Sequence, residues 1–155
     1  MIVAAAVLVG RPQDSFAETD VQKMLHLKCV QASQRAEADA AAMVPGRTWT
    51  WRLDFEHSRR ELAQLRDDFA SLQDCESEFE ASLTAEQKSK VQPQLQRLAS
   101  LWDHLQKDAQ SLDLELQKGY PTRWHVARDA TDMQRETRKW RQLHDQVART
   151  VGAGS

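Results

Sequence analysis

The feature that most constrains the fold of this chain is an apolar stripe between residues 91 and 116. Apolar side chains recur there in alternating steps of four and three, the spacing of one face of an α-helix. A long amphipathic helix gains most of its stability by packing that face against other elements. The segment therefore predicts a core built from several helices. The stripe consists of Val91, Leu95, Leu98, Trp102, Leu105, Ala109, Leu112 and Leu116.

Three further segments show helical spacing, and turn signals separate them. Pro45-Gly46 is expected to stop the first helix, Gly119 to end the third, and Pro121 to open the fourth. The predicted inward positions are Val21, Leu25, Cys29, Ala32, Ala36, Ala40 and Met43 in the first; Trp51, Phe55, Leu62, Leu65, Phe69, Leu72, Phe79 and Leu83 in the second, interrupted by Ser58 and Glu76; and Val126, Ala130, Met133, Thr137, Trp140, Leu143 or His144, Val147 and Val151 in the fourth.

Two local signals refine the third helix. Thr84 and Gln87 have the spacing of a capping box, which marks a helix start. Pro93 lies inside the helix, where it removes a backbone donor and crowds the preceding turn. We therefore expect a kink between Ser89 and Pro93.

Short connections make successive helices antiparallel. The sequence thus predicts an all-α fold, an up-down-up-down antiparallel four-helix bundle with a kinked third helix. Composition agrees, because five Gly and four Pro in 155 residues are few for a β-sandwich or barrel. The alternative is an extended helical hairpin that dimerises, since the helices are long for one domain.

The start of the chain predicts export. Residues 2–9 form an apolar run too short to span a bilayer, and Ser15-Phe16-Ala17 places small residues where signal peptidase needs them. No Lys or Arg precedes the run, so either the translation start lies upstream or the run is a strand or helix packed on the domain. We expect residues 1–17 to be a signal peptide, 18–151 one domain and 152–155 a flexible tail, in a periplasmic or secreted protein.

Cys29 and Cys75 are the two cysteines of the chain, and their spacing excludes a Cys-x-x-Cys motif. An oxidising compartment would allow them to pair. A simple hairpin register leaves them offset by about 12 Å along the helix axis. A disulfide therefore requires the loop between the first two helices to climb past the end of the first. A disulfide and two free buried thiols both remain open.

No pattern in the chain predicts catalysis or metal binding. His57 and Ser58 are adjacent, so on a helix their side chains diverge by about 100°. None of the five histidines lies three or four residues from another, and the Glu-x-x-His pairs of di-iron bundles are missing. We predict no enzyme activity, no metal and no cofactor.

Charge is balanced overall but uneven along the chain. The net charge of -2 argues against a nucleic-acid partner. Residues 61–90 hold eight acidic and three basic side chains, whereas residues 121–155 hold seven basic and four acidic ones. We expect the acidic second and basic fourth helices to attract one another across the bundle. The alternative is a basic face for anionic lipid, cell-wall polymer or nucleic acid.

Aromatic and basic residues supply the candidates for partner binding. Trp49 and Trp51 alternate just after Pro45-Gly46, and an extended stretch would leave one ring exposed as an anchor. The favoured alternative is that both rings cap the open end of the core. Trp124, Arg128 and Arg135 complete the candidate set. The expected partner is a protein or a second copy of the chain, with no membrane span.

Two stretches resemble known families. Leu83-Thr84-Ala85-Glu86-Gln87 is similar to the Leu-Thr-x-x-Gln signature of periplasmic Spy/CpxP-like chaperones and stress sensors, which typically carry two copies where this chain has one. Three further elements occur in order: Trp51 to His57, Val91-Gln92-Pro93-Gln94-Leu95, and a Pro-initiated fourth helix. Together they resemble small exported four-helix proteins of unknown function from environmental bacteria, over roughly residues 30–150. These resemblances imply export and a four-helix fold. The expected function is a non-catalytic binding or structural module, with a Spy/CpxP-like chaperone or sensor as the alternative.

Overall fold

Four helices make up the protein. The computed structural model describes residues 13–44 and 53–154, with side chains for 19–44 and 55–154. The helices are α1 (Gln13–Ala42), α2 (Leu53–Ala81), α3 (Ala85–Gln117) and α4 (Arg123–Thr150), and the described residues contain no strand. α1 packs against α2 and α4, and α3 packs against α4 and less extensively against α2. The predicted all-α four-helix bundle is confirmed.

Neighbouring helices are antiparallel, as contacts along α3 and α4 show. Ser111 donates a hydrogen bond to Asp129 at 2.8 Å, and His104 lies 3.9 Å from Glu136. A step of seven residues back along α3 is thus matched by seven forward along α4.

The register of α1 against α2 brings the two cysteines level. Gln22 donates to the carbonyl of Ser82, and seven residues further along α1 Cys29 meets Cys75. If this register continues to the C-terminal end of α1, the N-terminal part of α2 extends about 14 Å beyond that end. The offset required for a disulfide is therefore confirmed, while the loop expected to absorb it, residues 45–52, lies outside the described residues.

The predicted inward positions are buried with few exceptions. Val21 is 46% exposed because α1 turns Gln22 inward instead. On α4 it is His144 that is fully buried. Trp51 lies outside the described residues. Four further positions are only partly buried: Leu95, Trp102, Leu143 and Val151.

The core divides into two clusters along the bundle axis. The Phe69 cluster lies toward the end where α3 connects to α4 and comprises Ala36, Ala40, Met43, Phe55, Leu62, Leu65, Phe69, Leu105, Ala109, Leu112, Leu116, Val126, Ala130 and Met133. The disulfide cluster lies toward the α2–α3 turn and comprises Leu25, Cys29, Ala32, Leu72, Cys75, Phe79, Leu83, Val91, Leu98, Trp140, Val147, Ala148 and Ala153.

The predicted capping box at the start of α3 is confirmed. The backbone N–H of Gln87 donates to the Thr84 hydroxyl at 3.1 Å, and the Gln87 side chain accepts from the Thr84 N–H at 2.9 Å. The Gln87 amide also donates to the carbonyl of Val151 at 3.2 Å and exchanges hydrogen bonds with Gln22. This one side chain thus ties α3 to the start of α1 and the end of α4.

The helix ends differ slightly from expectation. α3 continues through Pro93, and the kink expected there stays a prediction. α3 ends one residue before Lys118, its C-cap, so Gly119 lies just beyond the cap. α4 begins at Arg123 with Thr122 as its N-cap, so Pro121 precedes the helix rather than opening it.

Residues 152–154, part of the stretch that the sequence predicts to be a flexible tail, fold back against the end of α4. Ala153 is buried in the disulfide cluster, and its N–H donates to the carbonyl of Ala148 at 2.7 Å. Gly152 has a φ of 82°, a left-handed conformation that lets the chain fold back over the helix end.

Two basic side chains of α4 pair with α1, which corrects the expected attraction between α4 and the acidic α2. Arg138 and Arg141 each contact the Glu37 carboxylate at 2.6 Å. The reason is the order of the helices, because α2 and α4 are not neighbours among the described helices. Burial acts to raise the pKa of Glu37, but hydrogen bonds from Arg138 and Arg141 lower it overall.

None of the four described helices has the length and apolar character that crossing a bilayer requires.

Candidate functional site

Two of the five candidate partner-binding residues, Trp124 and Arg128, come together on the outer surface of α4. They lie one helical turn apart, and the guanidinium carbon of Arg128 lies 5.1 Å from the centre of the Trp124 ring, a cation–π contact. Trp124 is 63% exposed. Arg135 lies two turns further along and pairs with an acid of its own helix at 2.7 Å. Trp49 and Trp51 lie outside the described residues.

The position of Arg128 is fixed from below by Asp129. Its guanidinium contacts one oxygen of the Asp129 carboxylate at 2.6 Å, and the Ser111 hydroxyl of α3 donates to the other oxygen at 2.8 Å. Asp129 itself is buried. The cation above Trp124 is therefore held in place by a buried, doubly hydrogen-bonded carboxylate.

A groove beside these residues extends the site onto α3. Its volume is about 350 Å³, and Leu114, His125 and Arg128 are among its lining residues. Leu114 is 58% exposed, and Tyr120 in the α3–α4 connection is more exposed still. We call Leu114, Tyr120, Trp124, His125 and Arg128 the Trp124 surface.

The connection beneath the Trp124 surface is held by Glu115. This buried carboxylate pairs with Lys118, accepts the backbone N–H of Thr122 at 2.5 Å and lies 3.5 Å from His125. The hydrogen bonds of Lys118 and Thr122 lower the pKa of Glu115 to about 2. The carboxylate stays ionised at neutral pH, and the α3–α4 connection is fixed to the end of α3.

A stack of aromatic rings fills the core near the disulfide. The His144 ring stacks on Trp140 with ring centres 4.9 Å apart, and on the other side on His26 at 5.2 Å. Phe79 of α2 meets it edge to face at 4.8 Å. Both ring nitrogens of His144 are buried without a hydrogen-bond partner, and burial lowers its pKa to about 3.

His26 connects this stack to the surface. Its Nε2 atom lies 3.4 Å from Asp145, and together they border a groove of about 230 Å³. Burial lowers the pKa of His26, while the Asp145 carboxylate acts in the opposite direction. Both imidazoles of the stack are therefore neutral at pH 7.

Three carboxyl groups on the helices have raised pKa values. Burial raises the pKa of Glu76 to about 7. The nearby Trp140 indole N–H acts in the opposite direction, but it is not well enough aligned to form a hydrogen bond. Burial and the neighbouring Asp68 raise the pKa of Asp39 to about 6. Burial and nearby acids, Glu136 first, raise the pKa of Asp108 to about 6. The three lie on different helices and do not form one site.

The structure also places the residues considered for catalysis and metal binding. Ser58 is buried, whereas His57 is only half-buried and lies 3.6 Å from Glu61. The adjacent pair therefore does not converge. Within residues 19–44 and 55–154, no three His, Cys, Asp or Glu side chains are grouped so that they could hold a metal ion.

Cys29 and Cys75 form a disulfide between α1 and α2. Their Cα atoms are 5.5 Å apart, within the range of bonded cysteines, and both side chains are fully buried. Of the two alternatives that the sequence leaves open, the structure shows the disulfide.

The residues of this site that sequence analysis missed are Leu114, Glu115, Tyr120, His125 and Asp129. Leu114 falls on the polar side of its helix, Glu115 reads as a surface charge, and Tyr120 lies in a turn. The spacing of Trp124 and Arg128 by four residues is a signal that the sequence does contain.

Comparison of the chain with protein-family models, with curated proteins and with solved structures finds no match.

Proposed function

We propose that the protein is an exported, non-catalytic binding module that contacts a protein partner through the Trp124 surface. The observation that carries this proposal is the exposed Trp124 ring with Arg128 ordered above it. Tryptophan and arginine are the residues most enriched among the energetically dominant positions of interfaces. The buried Asp129 and Glu115 hold the surface in one geometry, which reduces the ordering cost of binding.

Two features support export to the periplasm or the medium. Disulfides persist in oxidising compartments and are rare in the cytosol of most organisms. Cleavage after Ala17 would remove the first five residues of α1, and the first side chain described as buried is Gln22. We therefore propose Glu18 as the mature N-terminus. N-terminal sequencing of exported material tests this, and intact Met1 found in the cytosol would contradict it.

In-cell photo-crosslinking tests the binding surface. A photoreactive amino acid placed at Trp124 is expected to give a discrete crosslinked product with a protein partner in the producing organism. The matched control is the same amino acid at Lys90, which is exposed at the opposite end of the bundle. Trp124→Ala should then abolish binding of the purified partner. No product at position 124, or the same products at both positions, would contradict the proposal.

The alternative function, a Spy/CpxP-like chaperone or sensor, is supported by the resemblance of Leu83 to Gln87. In this protein Thr84 and Gln87 form the capping box, which gives their spacing a structural reason. Aggregation of an unfolded client protein distinguishes the two functions. A chaperone would suppress aggregation, whereas a binding module with a specific partner would leave it unchanged.

A further inference from the structure

α1 has a second apolar face, which points away from the bundle. Val21, Met24 and Leu27 are 46%, 61% and 55% exposed, and they make up half of the six exposed large hydrophobic residues among the described ones. Met24, Leu27, Asp20 and Lys28 line a groove of about 590 Å³ beside α2. The inward face of α1 already packs on α2 and α4, so the three apolar side chains of this outward face stay exposed.

The outward face is symmetric about Met24. Val21 and Leu27 lie three residues to either side, and Asp20 and Lys28 lie four residues to either side with opposite charges. Residues three and four apart from a centre share one face of a helix. An antiparallel copy of the same helix would therefore place apolar against apolar and acid against base.

We propose that this Met24 face (Asp20, Val21, Met24, Leu27 and Lys28) joins two copies of the chain. The two α1 helices pack antiparallel about a two-fold axis at Met24. Val21 of each copy contacts Leu27 of the other, and Asp20 pairs with Lys28. An isologous dimer requires a self-complementary patch, and this patch matches itself in the placement of its apolar side chains and of its charges.

The groove and the existing ion pair fit this arrangement. Met24 of the second copy fills the groove as a flexible knob between neighbouring side chains. In the monomer Lys28 pairs with Glu78 of α2 at 2.8 Å, with both side chains about half exposed. In the dimer Lys28 lies between Glu78 and the Asp20 carboxylate of the second copy.

The interface spans about two helical turns, so it is smaller than the roughly 800 Å² per partner of a standard stable complex. We expect weak association, with a Kd on the order of 10 to 100 μM. The dimer goes beyond the proposed function, because the Met24 face and the Trp124 surface lie at opposite ends of the bundle. Removal of residues 1–17 would leave the Met24 face intact.

Sedimentation velocity of charge variants of the full chain tests both dimer and register. Wild-type chain should show a sedimentation coefficient that rises with concentration. Asp20→Lys and Lys28→Asp each place like charges opposite one another twice, and each should weaken self-association by about tenfold or more. An equimolar mixture of the two variants restores both opposite-charge contacts and should recover the association. Lys107→Asp is the control, since Lys107 is exposed on α3, which does not pack against α1.

Three results would overturn the proposal. They are a wild-type chain that stays monomeric, folded single variants whose mixture does not recover association, and a Lys107→Asp variant that loses association equally. Circular dichroism and the unfolding midpoint verify that each variant is folded. A monomeric chain whose Met24→Lys variant loses binding of an unfolded client would assign the face to clients instead, and would also overturn the dimer.

Discussion

The two core clusters of the bundle are stabilised in different ways. The Phe69 cluster consists of aliphatic, methionine and phenylalanine side chains from all four helices. The disulfide cluster contains a covalent bond and lies against two neutral imidazoles and a protonatable carboxyl, Glu76. Apolar packing responds little to pH or reductant, whereas the second region should respond to both. The comparison shows how one core can combine a cluster held by apolar packing with one that depends on a covalent bond and on buried titratable groups.

Loss of the disulfide should give the largest effect. Cys29 and Cys75 are separated by 46 residues, and in the chain-entropy model this crosslink stabilises the protein by about 4 kcal/mol. We expect reduction, or the Cys29→Ala/Cys75→Ala double variant, to lower the free energy of unfolding accordingly. Denaturant unfolding with and without reductant measures it. A change in the free energy of unfolding below about 1 kcal/mol would contradict the expected stabilisation by the crosslink.

Truncation of one leucine in each cluster compares their packing directly. Leu105 belongs to the Phe69 cluster and Leu98 to the disulfide cluster, and both are fully buried. Leu105→Ala and Leu98→Ala should each cost about 2 to 5 kcal/mol, because each leaves a cavity. Equilibrium denaturation tests this. Losses below about 0.5 kcal/mol for both, the level of surface substitutions, would mean that the inward face of α3 is wrong.

Glu76→Gln should reveal how the buried carboxyl beside the disulfide cluster makes stability depend on pH. The pKa of Glu76 is about 7 in the folded protein against 4.5 in the reference, so between these values the folded state holds a proton that the unfolded state has released. Its contribution to stability is present below pH 4.5 and is lost as pH rises through 7. The variant should therefore be more stable than wild type by about 1 to 3 kcal/mol at pH 8 and nearly equal to it at pH 4.5.

His144 has the opposite linkage, because its folded pKa of about 3 lies below the reference value of 6.5. Stability from this group is lost as pH falls below 6.5. It is present in both wild type and Glu76→Gln, so it cancels in their difference. Urea denaturation at the two pH values measures the effect, and an equal difference at both would refute the buried-carboxyl explanation.

The N-caps at the two ends of the bundle give the smallest expected difference. Thr84 forms a capping box, whereas the Thr122 side chain makes no cap hydrogen bond. Thr84→Ala should cost about 1 kcal/mol. Thr122→Ala removes no capping bond; it removes only the contact of the hydroxyl with Glu115, which keeps its bonds to Lys118 and to the Thr122 N–H, so it should cost less, about 0.5 kcal/mol. Thermal unfolding of the matched pair tests this, and equal costs would show that the capping bond adds nothing.

Sequence periodicity was enough to predict the helices and most of the core. The stripe on α3 and the capping box at Thr84 depend on residues close together in the chain, so local spacing reveals them. The order of helices around the bundle depends on contacts between distant residues, and spacing carries no such information. For that reason the sequence predicts an attraction between α4 and the acidic α2, whereas Arg138 and Arg141 pair with Glu37 of α1.

Buried polar residues and the candidate site were harder to predict. Gln22 and His26 are polar residues of the kind usually found on a surface. They are buried because their contact partners belong to other helices. Trp124 and Arg128 are readable as a pair one turn apart. Leu114 joins them only through the register of α3 against α4, which fixes the groove between them.

The central claim is that an oxidised Cys29–Cys75 crosslink joins α1 and α2. A thiol-reactive mass tag, applied to denatured protein isolated from the producing organism with and without reductant, tests it most directly. We predict no tags without reductant and two tags with it. Two tags under both conditions would show free thiols, which would contradict the crosslink and remove its support for export.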